Sequence, residues 1–333
     1  MLYPLPRPYH AKLSLYENQV AIKFVKDSFQ KNLAEQLTLL RVSAPLFVSA
    51  SSGLNDHLNG VERPIAFSIP GLLEAEIVQS LAKWKRKALK DYDIHQGKGI
   101  YTDMNAIRPD ESLDNLHSLY VDQWDWEKRI APEERTIEYL FKTVEKIFLA
   151  LKKTEEEVNK AYPCFKQKLP EKIVFLSSSS LEERYPNLSR KERERALVKE
   201  YGAAFLYGIG WPLKDGKSHD GRAPDYDDWN LNGDILVYDE VLDVALELSS
   251  MGIRVDADAL KKQLKEKGLL EQKRTPYEES ILDGGLPPSI GGGIGQSRLC
   301  LFYLEKAHIG EVQSSLWKEE EILEAKKQGI FLL

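Results

Sequence analysis

Cysteine is almost missing from this chain: Cys164 and Cys300 are the only two in 333 residues. A secreted fold stapled by disulfides carries more, at regular spacings, and neither cysteine sits in a Cys-x-x-Cys pair of the zinc type. Long apolar runs are missing too. No stretch approaches the ~20 residues of a membrane-spanning helix, and the opening MLYPLPRPYH lacks the apolar core of a signal peptide. Positive charge is in deficit, with 46 Lys and Arg against 52 Asp and Glu and a net charge of −6, so nothing favours a nucleic-acid backbone. The expectation is a cytoplasmic protein whose partners include neither membrane nor nucleic acid. Familiar phosphate loops are also absent. The GKS at Gly216–Ser218 would need glycine where Trp211 stands, and no G-x-G-x-x-G follows a strand near the N-terminus.

The composition is that of an ordinary globular protein, 42% apolar and 29% charged. No repeat or low-complexity linker cuts the chain, so 1–333 reads as one domain, with 1–16 an extended arm rich in Pro and Tyr. Val25, Phe29, Leu33, Leu37 and Leu40 recur at helical spacing. Leu40–Val48 turns strand-like, broken at Pro45, which suits an edge. Leu72–Leu89 reads as a helix, and its cluster Lys83, Lys85, Arg86 and Lys87 as a solvated face. Ile137–Leu151 is the clearest amphipathic helix. Lys172–Leu176 reads as a strand with a flexible exit at Ser177–Ser180. Ser189 and Glu192 form a capping box for a helix running to about Tyr201. Strands follow at Ala203–Ile209, Ile235–Tyr238 and Val244–Leu248. A polar helix, Asp256–Lys267, ends at Gly268. Gly291–Gly295 leads into a last helix, Gln296–Lys306. Hairpins mixed with helices predict an α+β fold with a mainly antiparallel sheet.

Residues 99–127 read as a long hairpin. In its second arm Tyr120, Trp124 and Trp126 share one face. Leu119, Val121, Gln123, Asp125 and Glu127 share the other, because strand side chains alternate. The mixed face suits a sheet floor that becomes a polar pocket; a solvent-facing edge is the alternative. In GGGIGQSR (Gly291–Arg298), glycines let backbone approach a ligand and a helix start offers N–H groups to phosphate, with Arg298 one turn in. The same glycines also serve tight helix-on-sheet packing. Asp225, Asp227, Asp228 and Asp234 suit an amine or a divalent metal, or simply a turn-rich loop. Glu247 and Arg254 flank Ser249, Ser250 and Gly252, an acid and an arginine placed to grip a zwitterion or one another.

Five segments in one order carry a resemblance: SLAKWKR (80–86), YVDQWDWE (120–127), RAPDYDDW (222–229), ELSSMGIRVDAD (247–258) and GGGIGQSR. From about Ala21 to Trp317 the chain resembles the bacterial ammonia-dependent asparagine synthetases (aspartate–ammonia ligases), which share the catalytic fold of class II aminoacyl-tRNA synthetases. The helix running into Pro45 looks like that superfamily's first motif, which forms a dimer interface. The hairpin with Arg108 looks like the second motif and GGGIGQSR like the third. The tRNA synthetases usually place an acid before the third-motif arginine; here it is Ser297. The chain also looks short between Trp229 and Leu231, where a longer lid loop is expected of relatives.

The resemblance implies a single catalytic domain and a homodimer that converts L-aspartate, ammonia and ATP to asparagine through β-aspartyl-AMP, with Mg²⁺. It puts Arg108 on the α-phosphate and Gln123 on the reacting carboxyl group. Asp56, in GLNDHLNG, becomes the acceptor of the ammonium proton, with an ordinary loop Asx-turn as the alternative. Lys85, Asp125, Asp225, Ser250 and Arg254 are assigned to aspartate, Gly293 and Arg298 to nucleotide, Asp234 and Glu247 to metal. A tRNA synthetase would need an anticodon-reading domain, and only about twenty residues precede the first motif. A non-catalytic paralogue is expected to lose Arg108, Gln123 or Arg298, and all three are present.

Overall fold

The structure, a computed structural model, describes residues 5–56, 58, 62–72 and 74–333. The chain runs through α1 (Leu15–Leu37), β1 (Leu39–Arg41), β2 (Phe47–Ser49), β3 (Ala66–Ser68), β4 (Glu74–Ile77), α2 (Ala82–Asp91), β5 (Gly99–Ile107) and β6 (Tyr120–Arg129). Next come α3 (Ile137–Ala161), β7 (Val174–Ser177), α4 (Ser178–Arg184), α5 (Arg190–Tyr201), β8 (Ala203–Tyr207), β9 (Asp227–Asp239) and β10 (Val244–Arg254). It closes with α6 (Ala257–Glu266), α7 (Pro276–Leu282), β11 (Ser289–Gly295), α8 (Gln296–Tyr303) and α9 (Glu319–Lys327).

Eight strands bond in the order β1–β5–β6–β11–β10–β9–β8–β7, and β2–β4–β3 form a small separate sheet. In the large sheet only the outer pairs, β1 with β5 and β7 with β8, are parallel. The interior pairs are antiparallel. This is the expected α+β architecture.

Strand β6 shows how the sheet divides. Trp124 and Trp126 enter a core with Phe29 of α1, Val144 and Ile147 of α3, and Leu299 of α8. The Phe29 and Trp124 rings lie 4.9 Å apart. Truncating such a buried aromatic costs about 3–5 kcal/mol. Of the alternate residues on the opposite face, Gln123 and Asp125 open into a cleft, and Glu127 is buried against Arg254. Because β6 is interior to the sheet, the mixed face is a pocket floor, and the solvent-edge alternative falls away.

Several sequence expectations need correction. The α1 stripe ends at Leu37; Leu40 is in β1 and 61% exposed. That stripe is buried within the chain, and Asn32 donates to Thr154 Oγ1 of α3 at 3.0 Å. Leu40–Val48 splits between the two sheets, with Pro45 in the break. The predicted Leu72–Leu89 helix begins only at Ala82, because Glu74–Ile77 is drawn into a strand flanked on both sides. Ser177–Ser180 is no flexible exit: Ser177 caps α4, its Oγ accepting the Ser180 N–H at 3.1 Å. Strand β9 runs unbroken through 229–231, so the expected lid position is mid-strand. Gly291–Gly295 is itself a strand, α8 stops at Tyr303, and α9 follows it. The α5 capping box and the α6 helix after Asp256 form as read.

Candidate active site

The pocket face of the sheet floors a cleft of about 480 Å³, within the usual range for small-ligand sites. The floor is made by register. Gly293 pairs with Asp125 and Gly291 with Glu127 across β11 and β6. A Cβ on Gly293 would stand 2.3 Å from Gln123 Oε1, and one on Gly291 would stand 1.9 Å from Glu127 Oε2. These glycines therefore clear space for buried polar side chains of neighbouring strands. The phosphate-cradle reading of the helix start is also narrowed, since the Ser297 N–H donates to Asp122 Oδ1 at 3.0 Å.

Over this floor lies α2, with its charges inward. Lys83, Lys85 and Arg86 are buried, and only Lys87 of the cluster faces solvent, which corrects the solvated-face expectation. Lys85 Nζ donates to Gly292 O at 2.8 Å and lies 3.0 Å from Asp125 Oδ2. Burial pushes Lys85 below its ordinary pKa, against the pull of Asp125. The other oxygen of Asp125 is buried without a partner. A buried acceptor left open is costly unless a ligand donor fills it.

Arg254 is held from two sides. Its Nε and Nη2 donate to Glu127, at 3.0 and 2.6 Å, and its Nη1 to Asp227. These acids overcome burial and hold the guanidinium well above its usual pKa. Ser289 Oγ completes Glu127 at 2.6 Å. The two readings of Arg254 thus coexist: it lines the cleft, yet most of its fork is committed within the protein. Ser250, on the same strand, lines the cleft as well.

At one end of the cleft Asp56 is 2% exposed, its Oδ1 accepting the Leu58 N–H at 2.9 Å. That bond is the Asx-turn alternative, so turn and cleft placement are both present. Burial raises the Asp56 pKa; Lys83 opposes and Asp225 adds to the rise. Lys83 Nζ stands 2.5 Å from Asp225 Oδ2, and Asp225 Oδ1 is buried without a partner.

Arg108 follows β5 directly. Its main-chain N–H bonds Leu119 O at 2.8 Å, closing the hairpin neck. Its Nε is buried and unpartnered, and its Nη1 reaches only to 4.0 Å from Glu111. Arg298 Nη1 donates to Glu247 O at 3.1 Å and lies 3.6 Å from that residue's carboxylate.

Asp234 is straddled by Arg222, whose Nη2 meets both its oxygens at 2.8 Å. Burial, with repulsion from Glu247, outweighs Arg222 and pushes Asp234 up to about 7. For Glu247 burial acts upward, but Arg298, Arg222, Lys191 and His117 outweigh it and hold the carboxyl below its usual range. Among the described residues no group of three or more His, Cys, Asp or Glu side chains is set to hold a metal. Two carboxylates that repel one another beside an open cleft still fit Mg²⁺, which takes one or two carboxylates and completes its shell with water and phosphate. An incoming ion would first displace part of the Arg222 clamp.

The cleft thus gathers the residues assigned above except Asp225, which is joined to it through Lys83 and Asp56, and Asp234, which is joined to it through Arg222. Sequence reasoning missed Lys83, Glu127 and Arg222 as site residues. All three lie inside the quoted segments. The signal for Glu127 was its place on the mixed face of β6; for Lys83 it was a basic cluster on a helix that also carries Ala82, Ala88 and Leu89 inward.

A family model described as aspartate-ammonia ligase matches residues 16–329. The chain is 55% identical over 331 residues to an aspartate–ammonia ligase of Clostridium perfringens, covering 99% of this chain and 98% of that one. It is 56% identical to the Clostridium tetani enzyme over 331 residues, at 99% and 97% coverage. Among solved structures it resembles a Pyrococcus horikoshii asparaginyl-tRNA synthetase complexed with asparaginyl-adenylate. The TM-score is 0.64 at 19% identity, over 89% of this chain and 68% of that one. An aspartyl-tRNA synthetase of Entamoeba histolytica gives 0.56 at 18% identity, over 92% and 62%. At such identities these likenesses speak for the fold, that of class II aminoacyl-tRNA synthetase catalytic domains.

Proposed function

The chain belongs to the aspartate–ammonia ligase family, an enzyme family that joins aspartate and ammonia to give asparagine, and from that premise we propose how it does so: ATP adenylates the side-chain carboxylate of aspartate, and ammonia displaces AMP. The observation that carries this reading is the pair of open, buried carboxylate oxygens, Asp125 Oδ1 and Asp225 Oδ1, the first carboxylate paired with the buried Lys85 ammonium and the second with Lys83. A zwitterion with a second carboxylate supplies the missing donors and acceptors together.

In this reading Lys85 and Arg254 meet the carboxylates of aspartate, Asp125 and Asp225 its α-ammonium, and Ser250 lines the same wall. Gln123 fixes the β-carboxyl group, and Gly293 leaves room beside it. A β-carboxylate oxygen attacks the α-phosphorus, the bond to the bridging oxygen breaks, and pyrophosphate leaves. Arg108, whose fork is nearly free, neutralises charge that grows on the α-phosphate, where stabilisation accelerates the step. Arg298 serves the phosphates from the far side. Asp234 and Glu247 would hold Mg²⁺, which shields the charge of the phosphates. Ammonium docks at Asp56 and gives up its proton; the freed lone pair attacks the acyl carbon and AMP departs.

The family and the cysteine-poor composition support a cytoplasmic enzyme working as one catalytic domain, 1–333. A homodimer is supported by apolar side chains left exposed near the first motif, Leu40, Leu46, Phe47 and Phe67. The α1 stripe no longer argues for it. Light scattering of the pure protein checks this; a 38 kDa species alone at micromolar concentration would rule it out. The function itself is tested by pyrophosphate release. Release that requires aspartate, with asparagine formed only when ammonium is added, supports the reading; release of orthophosphate and ADP instead would end it.

A further inference from the structure

Lys83 has no part in the scheme above, yet it is a buried charge beside the cleft. Its Nζ is 2.5 Å from Asp225 Oδ2, and its side chain is 6% exposed. The Tyr277 ring of α7 faces it at 5.9 Å. Burial pulls the lysine down, but Asp225 and Asp56 together outweigh it and keep it charged. The groups around Asp56 are Lys83 from α2, the Ser80 hydroxyl just before that helix, Asp225 and Tyr226 from the segment before β9, and the Leu58 N–H from its own loop.

Two carboxylates and one ammonium make a cluster with one negative charge to spare. Lys83 occupies one oxygen of Asp225 and leaves the other open. We propose that Lys83 is a positioning residue that joins the subsite for the aspartate amine, at Asp225, to the subsite for ammonium, at Asp56. Through one fixed cation it aims the open oxygen of Asp225 at the substrate amine and keeps Asp56 ionised, able to capture ammonium. This inference rests on the reading of Asp56 as the ammonium acceptor. A neutral nucleophile has no such need. Hydroxylamine, which is unprotonated at neutral pH, enters the same acyl transfer without an anionic Asp56.

The test is the ratio of kcat/KM for ammonium to that for hydroxylamine, measured across pH in a single preparation. Folded fraction and aspartate affinity cancel in this ratio, so a partly folded variant still reports. In Lys83→Met and Lys83→Gln the ratio is expected to fall ~10-fold at the acid end of the profile, the scale of an opposite charge removed from beside a carboxylate. It should return toward the wild-type value at alkaline pH, and Lys83→Arg should restore most of it. Asp56→Asn separates the two levels. If Asp56→Asn leaves the ratio unchanged, the ammonium reading of Asp56 is wrong. If Asp56→Asn lowers it while both uncharged Lys83 variants keep the wild-type profile, the proposal for Lys83 alone is overturned.

Discussion

Lys85 Nζ stands 3.0 Å from Asp125 Oδ2 with both side chains buried, and the second oxygen of the aspartate has no partner. The pair is thus half of a binding site and half of the core. Breaking it leaves a buried ammonium uncompensated. Asp125→Asn is expected to lower stability by about 3–5 kcal/mol, visible as a drop in the denaturant midpoint. It should also raise KM for aspartate far more than KM for ATP. An unchanged KM for aspartate would remove Asp125 from the amine site.

Arg108 contrasts with that pair, because its Nε has no partner and its nearest carboxylate is 4.0 Å away. Arg108→Ala should therefore fold normally. It should lower kcat by roughly 10²–10³, the effect of losing one donor to developing charge. Near-normal turnover by a well-folded variant would contradict its place at the α-phosphate.

Asp239 gives a pH-dependent test away from the cleft. Its Oδ1 accepts the Val241 and Leu242 N–H groups at 2.9 Å in the β9–β10 turn, and burial pushes its pKa up to about 6. A carboxyl raised on folding contributes stability that is present below its unfolded pKa and is lost as pH rises through the folded one. Asp239→Asn keeps the acceptor oxygen without the charge. It should be more stable than the parent at alkaline pH, by up to about 3 kcal/mol, and lose that advantage in acid. Thermal melts on either side of the folded pKa decide it; a variant less stable at alkaline pH would contradict the account.

The nitrogen donor should be ammonia and not glutamine. A glutaminase needs a cysteine nucleophile, N-terminal after Met removal or paired with a histidine in its own domain. Position 2 is Leu2. Cys164 is exposed; Cys300 is buried, its thiol pushed up to about 12 by burial. Replacing both by serine should spare ammonium-dependent synthesis, apart from packing loss around Cys300. Robust synthesis from ammonia-free glutamine would overturn this.

The hairpin was legible because alternation in YVDQWDWE separates two tryptophans from Gln123, Asp125 and Glu127 by period alone. The inward charges of α2 were not. An amphipathic reading assigns lysines to solvent, and only the carboxylates brought by β6 and the 222–229 segment, distant in sequence, turn Lys83 and Lys85 inward. Gly291–Gly295 misled in a similar way. Glycine is a poor strand former, and its use here depends on side chains of neighbouring strands that no local window contains. Glu74–Ile77 joined a strand through partners on both sides, a tertiary preference that outweighs local helix propensity. The arginine clamp on Asp234 was hidden because Arg222 lies in a loop whose path is set by the fold.

The central claim is that the aspartate β-carboxylate attacks the α-phosphorus of ATP. Aspartate carrying a heavy-oxygen label in that carboxylate, incubated with the enzyme, ATP and ammonium, tests it most directly by mass spectrometry of the products. The account predicts one labelled oxygen in AMP for each asparagine formed and none in pyrophosphate; label in orthophosphate, or asparagine formed without labelled AMP, would contradict it.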